Sequence, residues 1–300
     1  MKKVIMLFSV LFSMLSIVNA GVIKIVTTTA DMKSIAEMIG GSKVSVTSIA
    51  TGYQNPHFVD PKPSYIIKLA AADLYVTTGL DLEIGWSPQL LSSSRNTKIQ
   101  KGAPGYVDAS EGVTLQQVPS SVNRGEGDIH IYGNPHYWLD PLNGKVIARN
   151  IANGLERVDP NNKSFYEANL QAFFGKVNTK MKEWQAKMAP FRGAKIIAYH
   201  NEWVYFEKRF GLEIVDFMEP KPGIPPSPSQ MVKVIREIKA NNIKAIISSP
   251  YFTTSSSDVV AKQTGVKELT LATSAGAFTS VKDYFDVFDY NINLLAEALK

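Results

Sequence analysis

The sequence predicts an α/β fold of two lobes, each a parallel sheet covered by helices, joined by one long rigid spine helix. Three observations carry this expectation. Short apolar segments alternate with helical patterns in an N-terminal region and again in a C-terminal one, and such alternation builds parallel sheets with both faces covered. Between the two regions, 161–188 has no proline and a single glycine, Gly175. Within that stretch Phe165, Leu170, Phe173, Phe174, Val177, Met181, Trp184 and Met188 recur at helical spacing.

The elements follow in order. Residues 22–28 read as a strand, 31–39 as a helix, 43–49 as a strand, 64–72 as a helix and 74–77 as a strand, with a short extended piece ending at Val107 and Asp108. The stretch 112–133 carries several glycines and no sustained apolar period, so it reads mainly as loop. Asp159-Pro160 is a helix-start signal and Pro190 a stop. A helix of some 28 residues rises roughly 40 Å, the width of a domain, which suits a spine better than an ordinary surface helix. Beyond it come strands at 195–199, 213–217, 243–248 and 267–271. Helices alternate with them at 202–209, 229–241 and 258–264, and a last helix spans 281–299. No internal repeat is present; the halves share only a βα alternation.

The N-terminus has the three-part form of a secretory signal. Met1-Lys2-Lys3 is positive, 4–18 is apolar and broken only by serines, and Val18-Asn19-Ala20 supplies small residues for cleavage after Ala20. The apolar run is short of the roughly 20 residues that span a bilayer, and a strand pattern follows at once. The predicted organisation is therefore a signal peptide at 1–20, a first lobe at 21–158, the spine at 159–190 and a second lobe at 191–300. There is no cysteine, hence no disulfide and no cysteine for a lipid anchor. An exported protein without a tether suits a periplasm between two membranes.

Loss of Lys2 and Lys3 with the signal leaves 30 basic against 27 acidic residues, a net charge of +3 in place of +5. No basic run stands out, so nucleic acid is not an expected partner. A monomer is expected.

The chemistry concentrates in four histidines: His57, His130, His136 and His200. Two sit in identical tripeptides, Asn55-Pro56-His57 and Asn134-Pro135-His136, where proline stiffens the stem that carries the ring. His200 follows a buried-looking strand, at the carboxyl end where ligands collect in open parallel sheets. Imidazole is the usual nitrogen ligand for zinc and also serves copper, nickel and iron. Two or three histidines with one carboxylate make an ordinary four-ligand set. A lone loop histidine is more often a surface residue, but three of four at positions able to converge favour a transition-metal site.

Three segments then carry a family resemblance. Gly52-Tyr-Gln-Asn-Pro-His57, with Asp60-Pro61-Lys62-Pro63-Ser64 after it, resembles the first ligand loop of the zinc/manganese solute-binding proteins of metal ABC transporters. Gly133-Asn-Pro-His-Tyr-Trp-Leu-Asp-Pro141 resembles their second, and Tyr199-His200-Asn-Glu-Trp-Val-Tyr-Phe206 with Phe210-Gly211-Leu212 their third. The motifs occur in order over almost the whole mature chain; the nine-residue second motif is the most specific.

The resemblance implies His57, His136 and His200 as metal ligands, with a carboxylate of the second lobe as the fourth. Asp283, near the start of the last helix, is the expected carboxylate, with Asp258, Asp286 and Glu202 in reserve. Some relatives place an acid after the strand that here ends in Ser248-Ser249-Pro250, and this chain has serines there. His130, six residues before His136, reads as an exposed loop side chain or, alternatively, as an auxiliary ligand or supporting partner. The implied role is capture of Zn2+, with Mn2+ as the alternative, and delivery to the membrane permease of an ABC transporter; the third histidine favours zinc. The competing reading is a secreted zinc hydrolase with three histidines, an open fourth position and Glu202 as general base. No His-Glu-x-x-His helix supports it. An apolar pocket for a chelate or haem is the remaining rival.

Overall fold

The computed structural model describes residues 21–120 and 130–300. The expected signal peptide lies outside the described residues, as does part of the 112–133 loop. The first lobe is β1 (Ile23–Thr27), α1 (Ala30–Gly40), β2 (Val44–Ser48), α2 (Pro63–Ala70), β3 (Leu74–Thr77), α3 (Ser87–Ser93) and β4 (Tyr106–Asp108). Its four strands are all parallel, in the order β2-β1-β3-β4. The chain then forms two consecutive helices, α4 (Pro141–Val158) and α5 (Lys163–Met188). The second lobe is β5 (Lys195–Ala198), α6 (Val204–Phe210), β6 (Glu213–Phe217), α7 (Pro228–Asn241), β7 (Ala245–Ser248), α8 (Ser255–Thr264), β8 (Lys267–Thr270) and α9 (Tyr284–Ala298). Its sheet is parallel too, in the order β6-β5-β7-β8.

The α4 helix is the main element that the sequence reading did not single out. Its signals are of the same kind as those of the spine. Asp140 caps it by accepting from Leu142 N, Pro141 sits in its first turn, and Ile147, Ile151 and Leu155 face inward. It packs beside α5, so the spine is half of a helical pair on the first-lobe side.

Both sheets are buried on both faces, as period-two side-chain alternation requires. Ile25 and Val26 point into different apolar clusters, and so do Ile196 and Ile197. The largest cluster does not stop at a lobe boundary. It runs from Ile25 and Ile35 through the inner face of α5 to Ile196, Phe206 and Phe288. The buried residues of α5 are Tyr166, Leu170, Phe173, Val177, Met181, Trp184 and Met188, spaced three or four apart. Tyr166 takes the first buried place, and Phe165 is only half-buried. One end of α5 packs against α1 and the other against α9, so one continuous core joins the lobes through the spine.

Candidate metal centre

The strand ends of both sheets face each other, and the loops leaving them meet. His57 lies on the loop after β2, His136 on the long connection after β4, and His200 two residues beyond β5. One ring nitrogen from each of these three histidines lies within 4.8 Å of the others, and among the described residues this is the group of histidine, cysteine and acidic side chains gathered closely enough to hold an ion. The ring centroids are 5.1 to 5.7 Å apart.

The repeated tripeptide has a specific task. In Asn55-Pro56-His57 the Asn55 Oδ1 accepts from the His57 backbone N at 3.0 Å and from ring Nδ1 at 2.8 Å. In Asn134-Pro135-His136 the same oxygen accepts from His136 N at 3.0 Å and from Nδ1 at 3.0 Å. A backbone N–H can only donate, so the amide oxygen faces the ring and Nδ1 must carry the proton. At His200 the partner is a carboxylate: Nδ1 lies 2.6 Å from Glu219 Oε2. Each ring is thereby held in the tautomer that makes Nε2 its lone-pair nitrogen, the arrangement that outer partners impose on metal-binding histidines. His136 Nε2 is buried with no hydrogen-bond partner. A buried polar atom without a partner is costly, and here it faces two other rings.

The surroundings fix these loops. Trp86, buried, donates Nε1 to Pro56 O at 2.9 Å. Gly52, which opens the first motif, approaches the second lobe so closely that a Cβ there would lie 2.1 Å from Ala275 O. The His136 loop is tied to the second lobe at several points. Tyr205 donates its hydroxyl to Asn134 O at 2.8 Å, and Asn134 donates Nδ2 to Asn201 O at 2.8 Å. Trp138 Nε1 donates to Thr273 O at 2.8 Å, and Arg209 grips both carboxylate oxygens of Asp140 at 2.7 Å. Burial, then the neighbouring rings of His200 and His130, hold His57 well below the ordinary imidazole pKa. Burial and the three other rings do the same to His136. His57 and His136 are therefore neutral at pH 7, as metal binding requires.

The expected carboxylates are elsewhere. Asp283 is the N-cap of α9: its Oδ1 accepts from Phe285 N and Asp286 N, and Lys176 stands 3.6 Å from it. The local helix-start geometry claims this side chain, and it is not in the histidine cluster. Asp286 completes the same capping box by accepting from Lys282 N and Asp283 N. Asp258 lies in the first turn of α8 and accepts from Thr254 Oγ1 at 3.2 Å. Glu202 is fully buried, accepts from Ser249 and Tyr251, and is pushed above the usual carboxylate range by burial. It faces the serine after β7 rather than an open metal position, which removes the base from the hydrolase reading.

Sequence reasoning did not find Glu219, and it read His130 as an exposed loop residue or, alternatively, as an auxiliary ligand or supporting partner. Glu219 sits two residues past β6, in a proline-rich loop with no motif to mark it. His130 is half-buried, with Nε2 3.1 Å from His57 Nε2. Its signal was its scarcity as one of four histidines.

Two parallel-sheet lobes on a shared helix, with imidazoles converging at the strand ends, define a solute-binding protein for metal ions. The chain belongs to the family described as zinc-uptake complex component A, periplasmic, whose model matches residues 25–298. A manganese ABC transporter substrate-binding lipoprotein, PsaA of Streptococcus mitis, is 28% identical over 290 residues, covering 92% of this chain and 89% of that protein. A metal ABC transporter substrate-binding lipoprotein, FimA of Streptococcus parasanguinis, is 28% identical over 294 residues, covering 93% and 90%. Among solved structures, a crystal structure of ZnuA superposes with a TM-score of 0.79 at 27% identity, covering 93% of this chain and 99% of that one. The two lipoproteins are named as substrate-binding components of ABC transporters, and this protein is accordingly a metal ABC transporter substrate-binding protein rather than an enzyme.

Proposed function

We propose that this protein captures Zn2+ between its lobes in the periplasm and delivers it to the membrane permease of an ABC importer. In this reading 1–20 is a signal peptide cleaved after Ala20, 21–158 and 191–300 are the lobes, 159–190 is the spine, and the protein is a monomer. His57, His136 and His200 are the ligands. The observation that carries the reading is the shared tautomer. Three converging rings each have Nδ1 tied to an oxygen acceptor, so each offers the ion a lone pair.

Zinc is favoured over manganese because imidazole nitrogens suit zinc, whereas manganese prefers carboxylate, carbonyl and water oxygens. The curated relatives include manganese proteins by name, so manganese is the second candidate. Capture does not need wide closure. The α5 spine runs through a continuous core, and the His136 loop is hydrogen-bonded across the interface, so the lobes move little and the ion exchanges by local movement of the loops.

Metal analysis of protein purified from its own periplasm, without added metal, tests the choice of ion. One equivalent of zinc supports the reading, and manganese with no zinc overturns the preference. Zinc titration of His136→Ala tests the site itself. It should lose most of the affinity and the zinc-dependent rise in melting temperature; binding equal to wild type would refute the assignment.

A further inference from the structure

We infer that His130 is the fourth ligand of the captured ion, so that the site closes as four imidazoles with no carboxylate on the metal. The inference rests on the three-histidine reading above and concerns only the remaining corner.

The geometry at that corner is specific. His130 Nε2 lies 3.1 Å from His57 Nε2, and the His130 ring centroid is 5.1 Å from that of His57 and 6.4 Å from that of His136. A tetrahedral zinc with Zn–N bonds of about 2.0–2.1 Å places neighbouring nitrogens about 3.3–3.4 Å apart. His57 and His130 thus stand roughly one coordination edge apart. In the metal-free protein the His57 Nε2 lone pair, set by the Asn55 contact at Nδ1, accepts from His130 Nε2–H, and that proton shifts to His130 Nδ1 by way of solvent as Nε2 takes the ion.

No acid competes for the position among the described residues. The close cluster is His57, His136 and His200; it contains no Asp or Glu, and His130 reaches it through His57, so His130 closes the shell by moving toward the other two rings. Glu219 is engaged by His200 Nδ1, Glu202 by Ser249 and Tyr251, and Asp283 by the α9 backbone. A cavity of about 530 Å³ opens beside the cluster and is lined by His57, His130, Phe58, Ile84, Trp86 and Ile131. His136 and His200 are buried at 1% and 8% exposure. His130 therefore stands on the side from which an ion enters, with the buried pair behind it, and closes the shell last.

Four neutral nitrogens leave the ion's charge uncompensated by its own ligands, and the Glu219 carboxylate behind His200 offsets it from outside. Such a shell discriminates against manganese, which needs hard oxygens, and accepts zinc and its neighbours in the divalent series. His130 is in this sense a specificity-determining residue: with an oxygen in its place the site would drift toward manganese.

X-ray absorption at the zinc edge of the zinc-loaded full chain tests this. Wild type should show four imidazole nitrogens, and His130→Ala should show three imidazoles and one light oxygen scatterer. Competition titration should show at least a tenfold loss of zinc affinity in His130→Ala, and His130→Asp should raise the Mn2+ to Zn2+ affinity ratio. Apo melting temperatures of both variants near wild type establish that they fold. Three imidazoles plus oxygen in wild type, with His130→Ala binding zinc as tightly, would overturn the role of His130 and leave the three-histidine site intact. Unimpaired zinc binding in His136→Ala would instead overturn the underlying reading.

Discussion

Asn134 Oδ1 receives both the backbone N–H and the ring Nδ1–H of His136, each at 3.0 Å. One amide oxygen thus sets the turn, the ring orientation and the tautomer together, and Asn55 repeats the arrangement at His57. Outer partners of metal-binding histidines typically contribute 10- to 100-fold in affinity. Asn55→Ala should therefore weaken zinc binding about 10- to 100-fold with little loss of stability, because that side chain is only half-buried. Asn134→Ala should lose affinity and about 1–3 kcal/mol of stability, because its Nδ2 also donates to Asn201 O across the interface. Zinc competition assays paired with denaturant unfolding of the apo forms separate the two effects.

The depressed pKa values of His57 and His136 set a pH dependence. The unfolded chain takes up protons at these rings below about 6.5, whereas the folded rings stay neutral to lower pH. Stability of the apo protein is therefore present above 6.5 and declines as pH falls below it. On zinc binding at pH 7, His57 and His136 should therefore release no protons. NMR titration of the His57 and His136 ring resonances in the apo protein measures this; a midpoint near 6.5 for either ring would contradict the depressed values.

Asp31 titrates in the opposite sense. It lies in α1 of the first lobe, accepts from Ala275 N at 3.0 Å and from the Ser274 hydroxyl, and burial raises its pKa from 3.8 to about 6. A raised carboxyl favours the folded state below 3.8, and that contribution is lost as pH rises through 6. Asp31→Asn removes the titration and keeps the shape. The wild-type-minus-variant stability difference should fall by on the order of 3 kcal/mol between pH 4 and pH 8. Denaturant unfolding of both apo proteins across that range measures it, and a flat difference would refute the shift.

Trp184 tests the spine. It is buried in α5, its ring centroid lies 5.0 Å from that of Phe288 in α9, and its Nε1 donates to Asp289 at 2.7 Å. Trp184→Ala should cost about 3–5 kcal/mol through the cavity left behind. Because one core runs through both lobes, near- and far-ultraviolet dichroism should still melt in a single transition. Two separated transitions would show that the lobes fold independently of the helix.

Several features were legible in the sequence because they depend on local pattern. The βα alternation placed both sheets, proline-free periodicity placed α5, and 213–217 matched β6 in full. The α4 helix was within reach, since Asp140-Pro141 carries the same start signal as Asp159-Pro160, but the longer run beside it drew the single-spine reading. The scarcity of histidine and the repeated Asn-Pro-His pointed to the three rings that the fold brings together.

What the sequence determined by itself was the identity of those rings and the strand-end loops that carry them. Tertiary structure decided which other groups reach them. Asp283 was nominated for its place near the last helix, but the orphan N–H groups of a helix start are satisfied locally, and its carboxylate caps α9. Glu219 meets His200 across 19 residues, and His130 meets His57 across 73. Those separations span two strand ends in one case and most of a lobe in the other. Residue spacing carries no information about such contacts, because they follow from how the sheets and their loops pack together.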